Sequence, residues 1–179
     1  SEVEDVVRKA REILKRNEDE NRRVLEKVRE DLKRLTDEND KVVEDVREMV
    51  RRIKEMLDRN RGDERVLEEV ERKLREVEDR VREAKRRDEE KLKRLEEELR
   101  RVVEESRRDL ERLLEELKRA GVREELLREV DERIKDVKRK TDEILREVRE
   151  RIKRNEERTE RLRREIEELA RRLLEDAER

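Results

Sequence analysis

The chain has 179 residues, of which 64% are charged and none is aromatic, proline, cysteine or histidine, while its net charge is only −2. This composition excludes a zinc site built on cysteine or histidine and a single-stranded nucleic-acid surface built on aromatic stacking. Acidic and basic residues are mixed along the whole chain, so no basic patch marks a nucleic-acid or membrane surface. Strict apolar periodicity argues against disorder and favours long helices.

The first predicted helix covers about residues 2–59. Its apolar residues recur every three or four positions, which is the period of an amphipathic helix. Ser1 and Glu4 have the spacing of an N-terminal capping box, and the sequence DRNRGDE ends the helix at Gly62. Asp63, directly after this glycine, is a suitable N-cap for the next helix.

The second predicted helix covers about residues 64–119, and the third covers about residues 123–177. Gly121 is the only other glycine and separates them, and no N-cap of comparable quality follows it. Because both connections are short, the second helix is expected to run down beside the first and the third to run up again. The predicted fold class is therefore all-α: a single-chain antiparallel up-down-up three-helix bundle, one domain over residues 1–179.

An 18-residue repeat runs through all three predicted helices. The places where two four-residue apolar steps follow one another fall at 10, 28 and 46, at 70, 88 and 106, and at 130, 148 and 166. Eighteen residues make about five helical turns, whereas a seven-residue repeat would impose a left-handed supercoil. The repeat predicts long, nearly straight helices, each spanning roughly 85 to 90 Å at 1.5 Å per residue.

Polar residues interrupt the apolar stripe at two levels of the predicted bundle. The spacing between levels is again 18 residues, as between Asn21 and Asn39. Folding the chain at its two loops places one set within about a turn of a common level: Asn17, Asn21, Ser106 and Thr141. A second set falls near another level: Asn39, Asp88, Asn155 and Thr159. A buried amide without a partner costs roughly 1 to 3 kcal/mol, so these groups are expected to hydrogen-bond to one another.

The two levels predict structural polar layers in the core that hold the helices in register. A slip of one turn would place each amide against leucine, which penalises the wrong alignment. The alternative is that these side chains lie at the edge of the stripe and meet water, and Thr36, which flanks Leu35, fits this alternative best. For Asp88, burial would raise the pKa while hydrogen-bond donors would lower it.

Together the 18-residue repeat, the Glu/Arg/Lys surfaces, the glycine-centred loops and the polar layers in a Leu/Val/Ile core resemble de novo designed helical bundles with buried hydrogen-bond networks. The resemblance covers the whole chain. It implies a protein made to fold, and it carries over no catalytic, cofactor-binding or metal-binding residue.

No motif in the sequence predicts a reaction, since the usual nucleophile and base pairs need histidine or cysteine. The leading hypothesis is a monomeric scaffold or rigid rod that is not an enzyme and requires no cofactor, metal, membrane or partner. It is expected to be soluble, and cytoplasmic on recombinant expression. Its thermal midpoint is expected above about 90 °C.

Two alternatives stay open. One is an interaction module that exchanges or displays a helix, as a helix-swapped dimer or with a designed protein partner. Its apolar surface would come from pairs such as Val42-Val43, Leu113-Leu114 and Leu173-Leu174. The other is a set of separate, charge-stabilised single helices. Arg61-Gly62-Asp63 also reads like the integrin-binding tripeptide, although helix capping by the glycine and the aspartate accounts for it.

Overall fold

The computed structural model of the protein describes residues 2–60 and 63–178, with the backbone alone described at 174 and at 176–178. The described chain forms three helices: α1 at Glu2–Arg59, α2 at Glu64–Ala120 and α3 at Glu124–Glu178. These bounds lie within one residue of the predicted ones. The capping position at Ser1 and the predicted turn at Gly62, with its Arg61-Gly62 dipeptide, lie outside the described residues.

Local side-chain pairs support each helix along its solvent face. Glu48 pairs with Arg52 at 3.0 Å, and Glu71 pairs with Arg75 at 3.2 Å, both four residues apart. Each such exposed pair contributes about 0.2 to 0.5 kcal/mol. Many small local contributions of this kind favour helix throughout a chain that contains no proline.

Asp63 caps the start of α2. Its carboxylate oxygen Oδ1 accepts a hydrogen bond from the backbone N–H of Arg65 at 3.0 Å, and its carbonyl accepts the first helical bond from Leu67 at 3.1 Å. This is the geometry of an N-cap residue, whose side chain satisfies one of the free N–H groups of the first turn.

Gly121 ends α2 in a left-handed conformation, with φ at 66°. Its N–H bonds the carbonyl of Lys118 at 3.3 Å, and the N–H of Val122 bonds the carbonyl of Leu117 at 3.4 Å. These two bonds define a Schellman motif, and buried Val122 and Leu117 belong to the same apolar cluster, as that motif favours. At the start of α3, the backbone carbonyl of Arg123 accepts from the N–H of Leu126 at 3.1 Å.

The chain divides into two compact units. Unit 1 comprises Ser1–Leu32 and Lys93–Arg149, and unit 2 comprises Lys33–Leu92 and Glu150–Arg179. Each of the three helices contributes a segment to each unit. The expectation of one domain over the whole chain stays a prediction.

Unit 1 has an apolar cluster near the Gly121 turn. Its buried members come from all three helices and the turn: Ala10, Leu110, Leu113, Leu117, Val122, Leu126, Val130 and Val137. The contacts between α1 and α2 run in opposite directions along the two helices, since Asn21 meets Ser106 and Lys27 meets Glu98. Within unit 1 these helices are therefore antiparallel.

Unit 2 has its own apolar cluster. Its buried members are Val43, Val46, Val50, Ile53, Val70, Leu74, Val77, Val81, Leu162, Ile166, Leu169 and Leu173. Here too the α1 and α2 residue numbers change in opposite senses, as Lys91 meets Glu38 at 3.0 Å and Arg80 meets Asp45 at 2.9 Å. Helix α3 runs with α1 instead, because Arg151 contacts Thr36 while Arg158 pairs with Asp40.

These contacts confirm the predicted fold class: an all-α three-helix bundle in which α2 is antiparallel to its neighbours. The apolar stripe predicted from the period of three to four residues is the face that each helix buries. None of the helices, as far as they are described, carries an apolar stretch long enough to cross a membrane.

Candidate functional site

The first group of buried polar residues lies in unit 1, next to the apolar cluster. The structure buries all four residues predicted for this level: Asn17, Asn21, Ser106 and Thr141. The Ser106 hydroxyl donates to Asn21 Oδ1 at 2.8 Å, and Asn21 Nδ2 donates to Asn17 Oδ1 at 3.0 Å. A chain of neutral hydrogen bonds thus joins α2 to α1 inside the stripe.

Thr141 belongs to the same level but uses a different partner. Its hydroxyl donates to the backbone carbonyl of Val137, four residues earlier on its own helix, at 2.8 Å. The expectation that the polar groups of this level hydrogen-bond to one another therefore does not hold for the Thr141 hydroxyl. A threonine hydroxyl within a helix finds the carbonyl four residues earlier already within reach, so it is satisfied without another helix.

The second group lies in unit 2 and consists of Asn39 on α1 and Asp88 on α2, which are both buried. Asn39 Nδ2 donates to Asp88 Oδ2 in a short hydrogen bond. The other polar atom of the amide, Asn39 Oδ1, is buried and has no hydrogen-bond partner among the described residues. This pair therefore joins α1 to α2 but leaves one acceptor unsatisfied.

Burial raises the pKa of Asp88 above its ordinary value of 3.8. The hydrogen bond from Asn39 and the positive charges of Lys91 and Arg87 lower the pKa, whereas the negative charge of Glu38 raises it. Burial has the largest effect, because a carboxylate taken out of water loses hydration that one amide does not replace.

Asn155 and Thr159 of α3 are half-buried, so their environment differs from the interior position expected for them. The Thr159 hydroxyl donates to the backbone carbonyl of Asn155 at 2.7 Å, again four residues earlier on its own helix. Among the described residues, no hydrogen bond joins either side chain to the Asn39–Asp88 pair. In unit 2 the buried polar contact is thus made by α1 and α2.

The apolar pattern of the sequence does not predict two charged contacts near these positions. Arg151 of α3 donates to the Thr36 hydroxyl of α1, so Thr36 has a partner on another helix as well as lying near the edge of the stripe. Arg133 pairs with Asp136 at 3.0 Å, and its Nε atom is buried without a hydrogen-bond partner among the described residues. The available signal is that Arg151 and Arg133 each follow a buried stripe residue by three positions.

Asp136 shows how such arginines influence a carboxylate at the edge of the stripe. Burial tends to raise its pKa, but the hydrogen bond and charge of Lys140, together with Arg133 and Arg139, outweigh burial, and the pKa is lowered. Asp88 and Asp136 therefore shift in opposite directions, because only Asp136 is surrounded by three cations.

A recess of about 250 Å³ opens beside the unit 1 group. Its lining includes Asn21 and Thr141 together with Leu25, Val102 and Arg133. Acidic and basic residues are mixed around its rim. Among the described residues there is also no group of three or more acidic side chains that could hold a metal ion.

Fold and site together define the class of this protein: an all-α bundle whose interior carries polar residues in each of its units. The chain matches no protein-family model and no curated protein. Among solved structures it is similar to one described as a "Computationally designed three helix bundle", with 18% sequence identity and a TM-score of 0.40. The similarity covers 99% of this chain and 88% of that chain.

Proposed function

We propose that the chain is a designed structural scaffold without natural biochemical activity, whose buried polar contacts specify the register of its helices. One observation carries this proposal. In each unit a hydrogen bond between α1 and α2 lies inside an otherwise apolar stripe: Ser106 to Asn21 in unit 1 and Asn39 to Asp88 in unit 2.

The physical basis is the cost of leaving these groups without partners. If α2 moved by one turn relative to α1, Ser106 would lose Asn21. Asp88 would lose Asn39 and would face an apolar residue of the α1 stripe instead. An unpaired buried polar group costs about 1 to 3 kcal/mol, whereas an apolar contact changes less when one leucine replaces another. Apolar residues supply the stability in this proposal, and polar residues select one alignment.

The same proposal takes the protein as a monomer that needs no partner, cofactor or metal. Two of the adjacent apolar pairs support a monomer. The less buried residue of each pair, Val42 or Leu114, packs against the apolar cluster of its own unit and is not left for a partner. Leu174, from the third pair, has no described side chain. Among the described residues, Val3 and Ile13 are the exposed large hydrophobic residues, 47% and 37% exposed.

Light scattering on a sizing column tests the monomer directly. The proposal expects the mass of one chain at all concentrations. A mass of two chains would support the alternative in which the protein exchanges a helix or displays an apolar face. Glutamate substitutions at Val3 and Ile13 then provide the control. They should abolish a dimer formed through these two exposed residues and leave a monomer unchanged.

Circular dichroism during heating tests the expected stability. We expect a single cooperative loss of helix with a midpoint above about 90 °C, because local propensity, periodicity and capping favour the same structure. Gradual melting would instead support separate single helices, which lack a shared core.

The role of the polar residues needs a variant that removes a whole group at once. Replacing Asn17, Asn21 and Ser106 with leucine and Thr141 with valine removes the four buried polar side chains of this level together with their need for partners. We expect equal or greater resistance to denaturant but broadened or doubled amide resonances, since several registers become close in energy. A variant with four leucines at exposed positions of unit 1 serves as the matched control, and it should keep one set of sharp resonances.

A further inference from the structure

The Asn39–Asp88 pair in unit 2 has an unequal supply of donors and acceptors. A carboxylate has only acceptor atoms, so the amide of Asn39 must turn its NH₂ group toward it. Its carbonyl oxygen Oδ1 is then left buried, with no donor among the described residues. Asn39 Oδ1 needs one hydrogen-bond donor, and a protonated Asp88 carboxyl group provides one.

We propose that Asp88 and Asn39 form a proton-binding site, in which a proton taken from water onto the Asp88 carboxyl group is donated as O–H to Asn39 Oδ1. The Asn39 N–H bond to the other carboxyl oxygen is retained. The two side chains then form a closed ring with two hydrogen bonds between α1 and α2. No other bond forms or breaks, and the pair passes from charge −1 to neutral.

Two separate observations support this proton-binding site. The unsatisfied Asn39 Oδ1 is a geometric fact about α1, and it identifies where a new donor would bind. The raised pKa of Asp88 follows mainly from burial on α2, and it indicates that the neutral carboxyl group is favoured in the folded chain.

Charged groups of α1 and α2 act on Asp88, and charged residues of α3 contact α1 residues that flank Asn39 in the sequence. On α1 and α2, Glu38 and Lys91 pair with each other at 3.0 Å, and their opposite charges act on Asp88 in opposite directions. The positive charge of Arg87 on α2 also lowers the pKa of Asp88, by a smaller amount. On α3, Arg151 donates to Thr36, and Arg158 pairs with Asp40 at 2.8 Å. A separate recess is lined by Lys85 of α2 and by Lys153 and Glu156 of α3.

The raised pKa fixes the direction of the pH effect on stability. Between the ordinary value of 3.8 and the raised value, the folded chain binds more protons at Asp88 than the unfolded chain does. The free energy of unfolding contributed by this group therefore falls as pH rises through that window. The contribution is present below 3.8 and is lost above the raised pKa.

Asp88→Asn is the decisive variant, because an amide has nearly the shape of the protonated acid and offers the same donor and acceptor at every pH. At pH 7 it should lower the equilibrium constant of unfolding by roughly five- to tenfold relative to the parent, since the unpaired oxygen gains a donor and the buried charge disappears. At pH values below 3.8, Asp88 of the parent is protonated in both the folded and the unfolded chain, and this ratio should approach one.

The experiment is a set of denaturant titrations of both proteins between about pH 3 and pH 8, with the ratio of unfolding constants taken at each pH so that shared carboxylates cancel. Asp79→Asn is the matched control: this carboxylate is also on α2, and its side chain is 77% exposed. Its ratio to the parent should stay within about twofold and should not grow with pH. A ratio for Asp88→Asn that is independent of pH, or a variant less stable than the parent at pH 7, would overturn the proposal.

An NMR titration of the parent gives a second reading that does not depend on any variant folding. The carboxyl carbon resonance of Asp88 should titrate with a midpoint above 3.8, and the Asn39 side-chain amide resonances should move with the same midpoint. A midpoint at or below 3.8, or amide resonances of Asn39 that do not follow it, would contradict the proposed ring.

Discussion

The two units place polar residues in the same kind of position but satisfy them differently. In unit 1 the Ser106 hydroxyl supplies a donor to Asn21, which supplies one to Asn17, and all of these groups are neutral. In unit 2 an amide faces a carboxylate, so the carbonyl oxygen of Asn39 has no donor. The free-energy cost of burying a polar contact is therefore small when donors match acceptors, and it is larger when a carboxylate supplies acceptors alone.

This difference also separates how the two contacts respond to pH. The unit 1 contact has no titratable member, so pH does not change its protonation. The unit 2 contact contains Asp88, whose pKa is raised by burial, so its contribution to stability falls as pH rises through the raised value. Substitutions in the two units should therefore change the free energy of unfolding by different amounts and with different pH dependence.

Asn21→Leu should cause the largest loss. It removes the acceptor of Ser106 and the donor to Asn17 in one step, and both of those groups stay buried. We expect a loss of about 2 to 4 kcal/mol in the free energy of unfolding, measured by denaturant titration and equal at pH 5 and pH 7. Asn155→Leu is the control, and it should change stability by less than about 0.5 kcal/mol because Asn155 is half-buried. Equal losses in the two variants would remove the special role given to Asn21.

Asp88→Leu should cause a smaller loss, about 1 to 2 kcal/mol at pH 7. The variant strands the amide of Asn39, but it also removes a buried charge, and the two effects oppose each other. Adding Asn39→Leu should restore stability to that of the parent or above, since no polar group then remains unpaired. The double-mutant cycle measures this coupling, and additive effects would show that the two side chains do not interact.

Gly121→Ala tests whether a loss of stability in unit 1 is enough to disturb register. Its left-handed φ of 66° should cost about 1 kcal/mol with a Cβ atom present, and no neighbouring atom lies within 4 Å of that Cβ. We expect lower stability in denaturant with one set of sharp amide resonances. Doubled resonances in this variant would mean that any destabilisation loosens the bundle, whatever its polar residues do.

Thr141→Val should have the smallest effect, within about 0.5 kcal/mol. The hydroxyl bonds the carbonyl of Val137 on its own helix, which keeps its helical bond when the hydroxyl is lost. Ser106→Ala is the informative partner, because that hydroxyl crosses to another helix, and its loss should cost about 1 kcal/mol. If Thr141→Val costs as much as Ser106→Ala, then Thr141 holds α3 to its neighbours in a way that its hydrogen bond does not explain.

Much of the fold follows from the sequence because each local signal agrees with the others. The apolar period marks the buried face of every helix, Gly121 adopts the positive φ that ends α2, and Asp63 accepts the N-cap bond. These features depend on backbone geometry and on residues close in sequence, so the sequence contains enough information to predict them.

The contacts of the polar residues were harder to predict, because the sequence places a side chain on a helix face but does not fix its rotamer. The level of Thr141 in the bundle was predictable, but its hydroxyl donates to the backbone carbonyl of Val137 on its own helix. Asn155 is half-buried although it follows the same period, because the period assigns a residue to a helix face but does not determine how far a neighbouring helix covers it. Arg151 reaches Thr36 because a long arginine side chain spans the edge of the stripe, which periodicity does not report.

A distance measured along the helices shows whether buried polar contacts select their register. Spin labels at Lys9 on α1 and Arg101 on α2, both exposed positions of unit 1, give a separation that changes when one helix moves past the other. In the parent we predict one narrow distance distribution. In the variant without the four polar residues of unit 1, we predict a second maximum displaced by about 5 Å, one helical turn. If that variant keeps the single narrow distribution of the parent, the polar contacts do not set the register.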